Sequence, residues 1–280
     1  MHFNTLKEKC EYFRGLTDYR LMPNSYVIAM LDGRSFSKLI KNKYKKPFDE
    51  TFVSMMNEVA EYLLKNVQGA KFAYTQSDEI SILITDFDTA ETDSAFGYRI
   101  CKLQSILAAM AASKFNQLAL LNSLKDDDDV SDVREAIKEQ KLVEFDCKVW
   151  SVPDFNTAFC HFLWRQNDCI RNSKQQAAQT YCSHKELLGK NADEQIAYLK
   201  EKTGIDWEGY DQGLKYGRII YKEMRLFKNY VTDTETAGLD NIPVITTEEQ
   251  TYVRNVWSTH SADIFGVVGS IINTLIPKRP

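Results

Sequence analysis

The chain has 280 residues, 44% of them hydrophobic and 12% aromatic, enough for one large domain or for one domain with a substantial appendage. A net charge of −4 excludes a globally basic nucleic-acid binder but leaves room for a local basic face. No window approaches the roughly 20 uninterrupted apolar residues that cross a bilayer, and residues 1–7 lack the apolar core of a secretory signal, so no membrane partner is expected and the expected location is cytoplasmic.

Residues 3–16 have helical spacing of Phe3, Leu6, Cys10 and Phe13. After the break at Pro23, Tyr26 to Leu31 read as a strand ending in Asp32 and Gly33, followed by a lysine-rich polar loop at 41–49. Phe52, Met55, Met56, Val59, Leu63 and Leu64 predict an amphipathic helix over 50–66. Residues 71–84 predict a β-hairpin with Gln76, Ser77, Asp78 and Glu79 at its tip. A long helix is expected over 95–121, then the acidic run Asp126–Asp129, whose adjacent exposed acids read as a hydrated face. Alternation of Val143, Phe145, Cys147 and Val149 predicts a further strand. The remainder turns helical from Asn156, with a β-rich run at 218–223 and a tail, 225–280, that carries no motif. None of the six cysteines forms a CxxC pair, and the grouping of Cys160, His161, Cys169, Cys182 and His184 matches no standard zinc spacing.

This order is that of a split βαβ unit, giving an α+β fold: a ferredoxin-like, polymerase/cyclase-type palm with an antiparallel sheet and helices on one face. The expected organisation is a palm over 1–152, a helical region with a returning strand over 153–224, and an extension over 225–280. If the Asp32 strand neighbours the hairpin, Asp32 and Asp78 meet at a sheet edge. Two carboxylates and the Gly33 carbonyl suit a pair of hard Mg2+ ions of the kind used for nucleotidyl transfer. Glu79 alternates away from Asp78 and reads as a supporting acid. Arg99 and Lys102 share a helix face near an N-terminus, which makes them triphosphate ligands if they lie beside those acids, and Lys46 adds a third cation.

The assembled pattern resembles the tRNA(His) guanylyltransferase family, including its 3′–5′ reverse polymerases. The resemblance rests on Leu31-Asp32-Gly33-Arg34-Ser35-Phe36, Lys46-Pro47-Phe48-Asp49, Tyr74-Thr75-Gln76-Ser77-Asp78-Glu79-Ile80-Ser81, Arg99-Ile100-Cys101-Lys102, Trp164-Arg165-Gln166-Asn167-Asp168-Cys169-Ile170-Arg171-Asn172 and Lys215-Tyr216-Gly217. It implies an enzyme that activates a tRNA 5′ end with ATP or GTP and then adds an NTP, using two Mg2+ ions and working as a homotetramer. By the same resemblance Asp32, Gly33 and Asp78 hold metal and Glu79 assists catalysis. Arg34, Ser35, Phe36, Lys46, Ser77, Arg99 and Lys102 fall at nucleotide positions, and Trp164, Arg165, Asp168 and Asn172 at the second nucleotide or tRNA end.

Two departures are visible. Cys169-Ile170-Arg171-Asn172 stands where eukaryotic members carry His-Ile-Asn-Asn, and Met30 stands where an arginine is usual. The first favours templated repair of 5′-truncated tRNA over addition of a single G-1 to tRNA(His). Lys38, Lys41, Lys43, Lys45, Lys174, Lys185, Lys215, Arg218 and Lys222 are candidates for an RNA groove, with Trp164 or Tyr216 to stack a base. A palm-domain nucleotide cyclase and an inactive RNA-binding module are the alternative readings; retention of Asp32, Asp78, Lys46, Arg99 and Lys102 together argues against a decayed site.

Overall fold

The structure is a computed structural model that describes residues 2–89, 91–125, 129–237, 242–262 and 275–278, with the backbone alone at 40–42, 226–237 and 242–253. Asp126 to Asp128 of the acidic run lie outside the described residues, as does much of the end of the tail.

Helix α1 (Leu6–Gly15) starts in a capping box between Thr5 and Glu8 and buries no residue. Strand β1 (Tyr26–Gly33) follows, and the lysine-rich stretch expected as loop begins as helix α2 (Phe36–Lys43). Asp49 caps α3 (Glu50–Asn66), whose Phe52, Met55, Met56, Val59, Ala60, Leu63 and Leu64 form the buried stripe. The hairpin is β2 (Ala70–Gln76) and β3 (Glu79–Ile84). The long helix is shorter at its start than predicted. Phe96, Gly97 and Tyr98 all have positive φ, so a 3-10 turn over Ala95–Tyr98 is set off from α4 (Ile100–Leu121). Then come α5 (Val130–Glu139), capped by Asp129, β4 (Phe145–Val152) and the 27-residue α6 (Phe155–Tyr181). Helices α7 (His184–Leu187), α8 (Ala192–Thr203) and α9 (Gln212–Tyr216) lead to two long strands, β5 (Arg218–Ala237) and β6 (Ile242–Ser261).

The strands form one sheet in the order β4-β1-β3-β2-β5-β6, with β1 antiparallel to both β3 and β4. Directly opposed residues share a face. Gly33 opposes Phe145, whose ring joins Phe36, Phe52 and Phe115, so α3 and α4 cover that face. Asp32 points the other way, opposite Glu79 on β3 and Asp146 on β4. Helix α6 covers this second face: His161 bonds Ser81 at 3.1 Å and Phe162 packs 4.6 Å from Phe72, centroid to centroid. The palm helices therefore keep to one face, and the appended helical region closes the other.

Two compact units are present. One comprises Met1–Ile220 with Thr259–Pro280 and contains every residue of the candidate site; the other is the hairpin portion Tyr221–Ser258, where the Lys222 ammonium lies 6.0 Å from the Trp257 ring centre. No helix among the described residues is long and apolar enough to cross a membrane.

Candidate active site

A strand end and a tight turn meet at one edge of the sheet. Asp32 is the penultimate residue of β1, and the amide of Gly33 donates to the Asp78 carbonyl at 3.2 Å. Ser77, with φ of 44°, makes the turn that lifts Asp78, and its hydroxyl donates to Asp78 Oδ1 at 2.9 Å. Gly33 has to be small here, because a Cβ would sit 2.3 Å from the Phe36 ring. The aromatic core thus fixes the chain immediately beside Asp32.

The electrostatics of this edge are unusual for surface carboxylates. Burial pushes the Asp78 carboxyl up to about 6, held back by the Ser77 hydroxyl and raised further by the charge of Asp32. Asp32 is also raised, first by desolvation and then by Asp146, against the pull of Lys148 and Arg165. Glu79 is raised by burial although Arg165 grips it, Nε to Oε1 at 2.5 Å and Nη2 to Oε2 at 2.6 Å. The same Nη2 reaches Asp168 at 2.9 Å, and Asp168 also accepts from Arg171. Among the described residues no group of three or more His, Cys, Asp or Glu side chains has a metal-holding arrangement. What the edge offers instead is two mutually repelling carboxylates, Asp32 and Asp78, with Glu79 already neutralised by Arg165.

Two depressions lie beside the Ser77–Asp78 turn, the first lined by Asp78 and both by Ser77. An open groove of about 300 Å³ runs past Ser37, Lys46, Ser77, Asp78, Asn172 and Thr180. A second, more enclosed cavity is walled by Tyr44, Pro47, Phe48, Phe52, Val53 and Leu214, with Asp49, Cys169 and Arg218 among its polar residues. Ser77, Asn172 and Gln176 line both, so the two are neighbours. Gln176 also donates to the Pro47 carbonyl at 2.5 Å, tying α6 to the loop before α3.

The predicted site residues fall in different places. Asp32, Gly33, Asp78 and Glu79 meet at the sheet edge, and Lys46, Ser77 and Asn172 line the groove beside it. Trp164 is 55% exposed on α6 with the Arg165 guanidinium 4.4 Å from its ring centre, while Arg165 itself is buried and occupied by Glu79 and Asp168. Arg34 is exposed and donates to Glu144 at 2.6 Å, and Ser35 is exposed with φ of 60°. The Phe36 ring is 1% exposed in the aromatic core, which leaves only its backbone to face a ligand.

Arg99 and Lys102 are not brought to the acids within this chain. Arg99 Nε donates to Asp18 at 2.5 Å, the Ile100 amide reaches Tyr19, and Lys102 adds to the charge that lowers Asp18. This is the Tyr26–Ile84 end of the sheet, where Asp86 accepts from Asn24 and Ser94. The RNA-groove candidates also change. Lys215 and Arg218 are 5% and 6% exposed, Lys215 pairing with Glu208, and Tyr216 packs on Trp207. The Lys41 side chain lies outside the described residues. Sequence reasoning missed Asp146 opposite Asp32 and the cavity residues Tyr44 and Gln176, and it assigned Arg218 to an RNA groove rather than to the cavity wall. Strand register and cavity walls arise from pairings distant in sequence, and no local pattern signals them.

Comparison with known proteins bears on the family and the fold. The family model for tRNAHis guanylyltransferase (Thg1) matches residues 7–153. A solved bacterial tRNA(His) guanylyltransferase-like protein in complex with ATP is 31% identical, covering 78% of this chain and 88% of that one with a TM-score of 0.69. Uncharacterized protein R259 of Acanthamoeba polyphaga mimivirus is 29% identical over 78% of this chain and 77% of its own length. The tRNA(His) guanylyltransferase 1 of Arabidopsis thaliana is 25% identical over 77% of this chain, which spans only 37% of that longer protein.

Proposed function

Because the chain belongs to the tRNAHis guanylyltransferase family, we infer that it is a nucleotidyltransferase acting on the 5′ end of tRNA, extending it in the 3′–5′ direction. The observation that carries this reading is the Gly33–Asp78 hydrogen bond, which ties the end of the Asp32 strand to a turn whose Asp78 lines the open groove and whose Ser77 lines both depressions. The donor chemistry fits Mg2+. Oxygen ligands only are present; Asp78 is raised by burial and by Asp32, and Asp32 by burial and by Asp146, so a divalent cation would relieve this crowding of negative charge. Asp32, the Gly33 carbonyl and Asp78 would hold two Mg2+ ions. When bound, the metal supplies charge neutralisation on the triphosphate and a lowered pKa at an attacking hydroxyl.

The chain's own residues do the rest. The aromatic cavity takes the base of a nucleoside triphosphate, ATP or GTP, by stacking and exclusion of water. Lys46, Ser77 and Asn172 orient its phosphates along the groove. Arg165 holds Glu79 so that its carboxylate faces Asp32 without rotating away. Trp164 offers an exposed ring on which the terminal base of the tRNA stacks.

Within this reaction we place the chain among the enzymes of templated 5′-end repair rather than single G-1 addition. Buried Cys169, bonded to the Lys215 carbonyl, replaces the imidazole that the resemblance associates with the latter. A homotetramer in the cytoplasm completes the proposal.

The test is extension of a tRNA lacking its first 5′ nucleotide, with ATP, labelled NTPs and Mg2+. A product one nucleotide longer, complementary to its partner, is expected, and Asp32→Ala or Asp78→Ala lowers the rate by about 1,000-fold or more. G added whatever the opposing base would restore the single-addition reading. A cyclic product formed without RNA would replace the polymerase by a cyclase, and full activity of either alanine variant would remove the metal site.

A further inference from the structure

One edge of the sheet is left open. Strand β4 ends the strand order and packs on β1 and α4. It pairs with β1 along its whole length without a bulge and contains no proline. The Arg34 amide donates to the Glu144 carbonyl at 2.9 Å, and hydrogen-bonded pairs alternate along an antiparallel ladder. Asp146, Lys148, Trp150 and Val152 therefore spend their backbone groups on β1. Phe145, Cys147, Val149 and Ser151 turn theirs outward, and among the described residues no backbone group meets them. The open run is stopped at both ends. The Val143 amide and carbonyl are both taken by the Asn116 side chain at 3.0 Å, and Pro153 has no N–H to offer. An edge of this kind is a template for another strand.

The charges on the strand say which one. Asp146 and Lys148 are exposed on the face that carries Asp32, and neither side chain forms an ion pair among the described residues. Outward groups bond only outward groups, so an antiparallel second β4 has few registers to choose from. A two-fold axis at Asp146 sets that acid against itself, one at Lys148 sets the lysine against itself, and one at Phe145 sets Asp146 against Glu144. An axis at Cys147 sets Asp146 against Lys148 twice over. It also places Phe145 opposite Val149, an aromatic against a β-branched side chain on the α4 face. The segment leading into β4 is equally unpartnered: α5 buries no residue, and Val130, Ile137 and Leu142 are exposed.

We propose that two copies of this chain join through β4, antiparallel about a two-fold axis at Cys147, so that their sheets run on as one. The contact is isologous: each Asp146 meets the Lys148 of the other copy. The inference rests on the self-association proposed above and names one of its joints; it stands apart from the catalytic reading. It also bears on the acidic edge. Glu79, Asp32 and Asp146 form a row across three strands, held at the Glu79 end by Arg165. Neighbouring strands lie about 4.8 Å apart, so Lys148 of the second copy takes the next place in that row, at the end its own chain leaves open.

Analytical ultracentrifugation of the full chain tests the register as well as the surface. Asp146→Lys sets lysine against lysine and Lys148→Asp sets aspartate against aspartate, so each alone is expected to weaken the joint about 10-fold or more and to halve the assembly. An equimolar mixture of the two variants joins a chain with two cations to a chain with two anions. It is expected to recover the wild-type assembly to within about threefold in affinity, and so is the swap D146K/K148D on one chain. Recovery in the mixture cannot come from misfolded chains. Wild-type assembly in both single variants overturns the joint and leaves self-association standing. A mixture and a swap that both stay apart overturn the register on which the joint depends. A wild-type chain that sediments as a monomer removes self-association, and this joint with it.

Discussion

The two ends of strands β1 and β3 are built from similar residues and behave in opposite ways. At the Tyr26–Ile84 end, acids meet bases: Asp18 is held below the usual carboxylate range by its hydrogen bond to Arg99, with further help from Arg20 and Lys102. At the Asp32–Glu79 end, acids meet acids. Asp32, Asp78 and Glu79 are all raised, Asp146 stands beside Asp32, and buried Arg165 is committed to Glu79 and Asp168. The first end is a closed structural joint. The second is an edge left with excess negative charge, which a fold does not maintain for stability's sake.

Arg165 is where the comparison breaks most sharply, because it is the buried cation that grips Glu79 and Asp168 at the acidic edge. Arg165→Ala leaves Glu79 and Asp168 without their buried partner and is expected to cost about 3–5 kcal/mol, a fall in melting temperature of roughly 6–20 °C. Arg165→Lys restores the charge but not the two-pronged contact, so it should recover part of the melting temperature. If Arg165→Ala melted with the wild type, Glu79 would not be held as described, and its support of Asp32 would fail.

The acid of the turn tests the same contrast with the opposite sign. Asp78 binds its proton more tightly folded, at about 6, than unfolded, near 3.8. The fold therefore gains stability as pH falls through 6 towards 4 and carries a penalty above 6. Discounted for its partial exposure, that penalty is about 1–2 kcal/mol at pH 7.5. Asp78→Asn should thus melt higher than the wild type at pH 7.5 and no higher at pH 4, in parallel scans. Added Mg2+ should raise the wild-type melting temperature at pH 7.5, lose that effect as pH falls through about 6, and do nothing for the Asn variant. A destabilised Asn variant at pH 7.5 would mean that the carboxylate is structurally paired after all.

What the sequence disclosed follows the range of the interactions involved. The Ser77–Asp78 turn, the α3 stripe and the strand ending at Asp32 are local patterns, and each is found where its spacing predicts. The convergence of Asp32 with Asp78 followed from one assumption, that neighbouring runs pair. Asp146 was invisible because its place opposite Asp32 depends on a β1–β4 register spanning more than a hundred residues. Lys215 and Arg218 read as surface cations because nothing local announces that α9 tucks beneath α6 or that Tyr74 clamps Gly217. Phe36 lies just after the DG motif in sequence yet turns into the core, because the positive-φ turn at Ser35 and the start of α2 redirect the chain there.

The smallest effect concerns Arg99, which the sequence placed beside the acids and the structure pairs with Asp18. Its side chain is 37% exposed, so Arg99→Ala should shift the melting temperature by no more than about 2 °C. Nucleotide affinity is the informative readout. Six residue steps of β1 lead from Tyr26 to Asp32, about 20 Å at the rise of a strand, beyond the reach of an arginine side chain. Unchanged GTP binding in Arg99→Ala leaves this end of the sheet a structural joint. A clear loss would require the guanidinium to reach the acids of a second copy of the chain, and it should then appear together with a dependence of affinity on protein concentration.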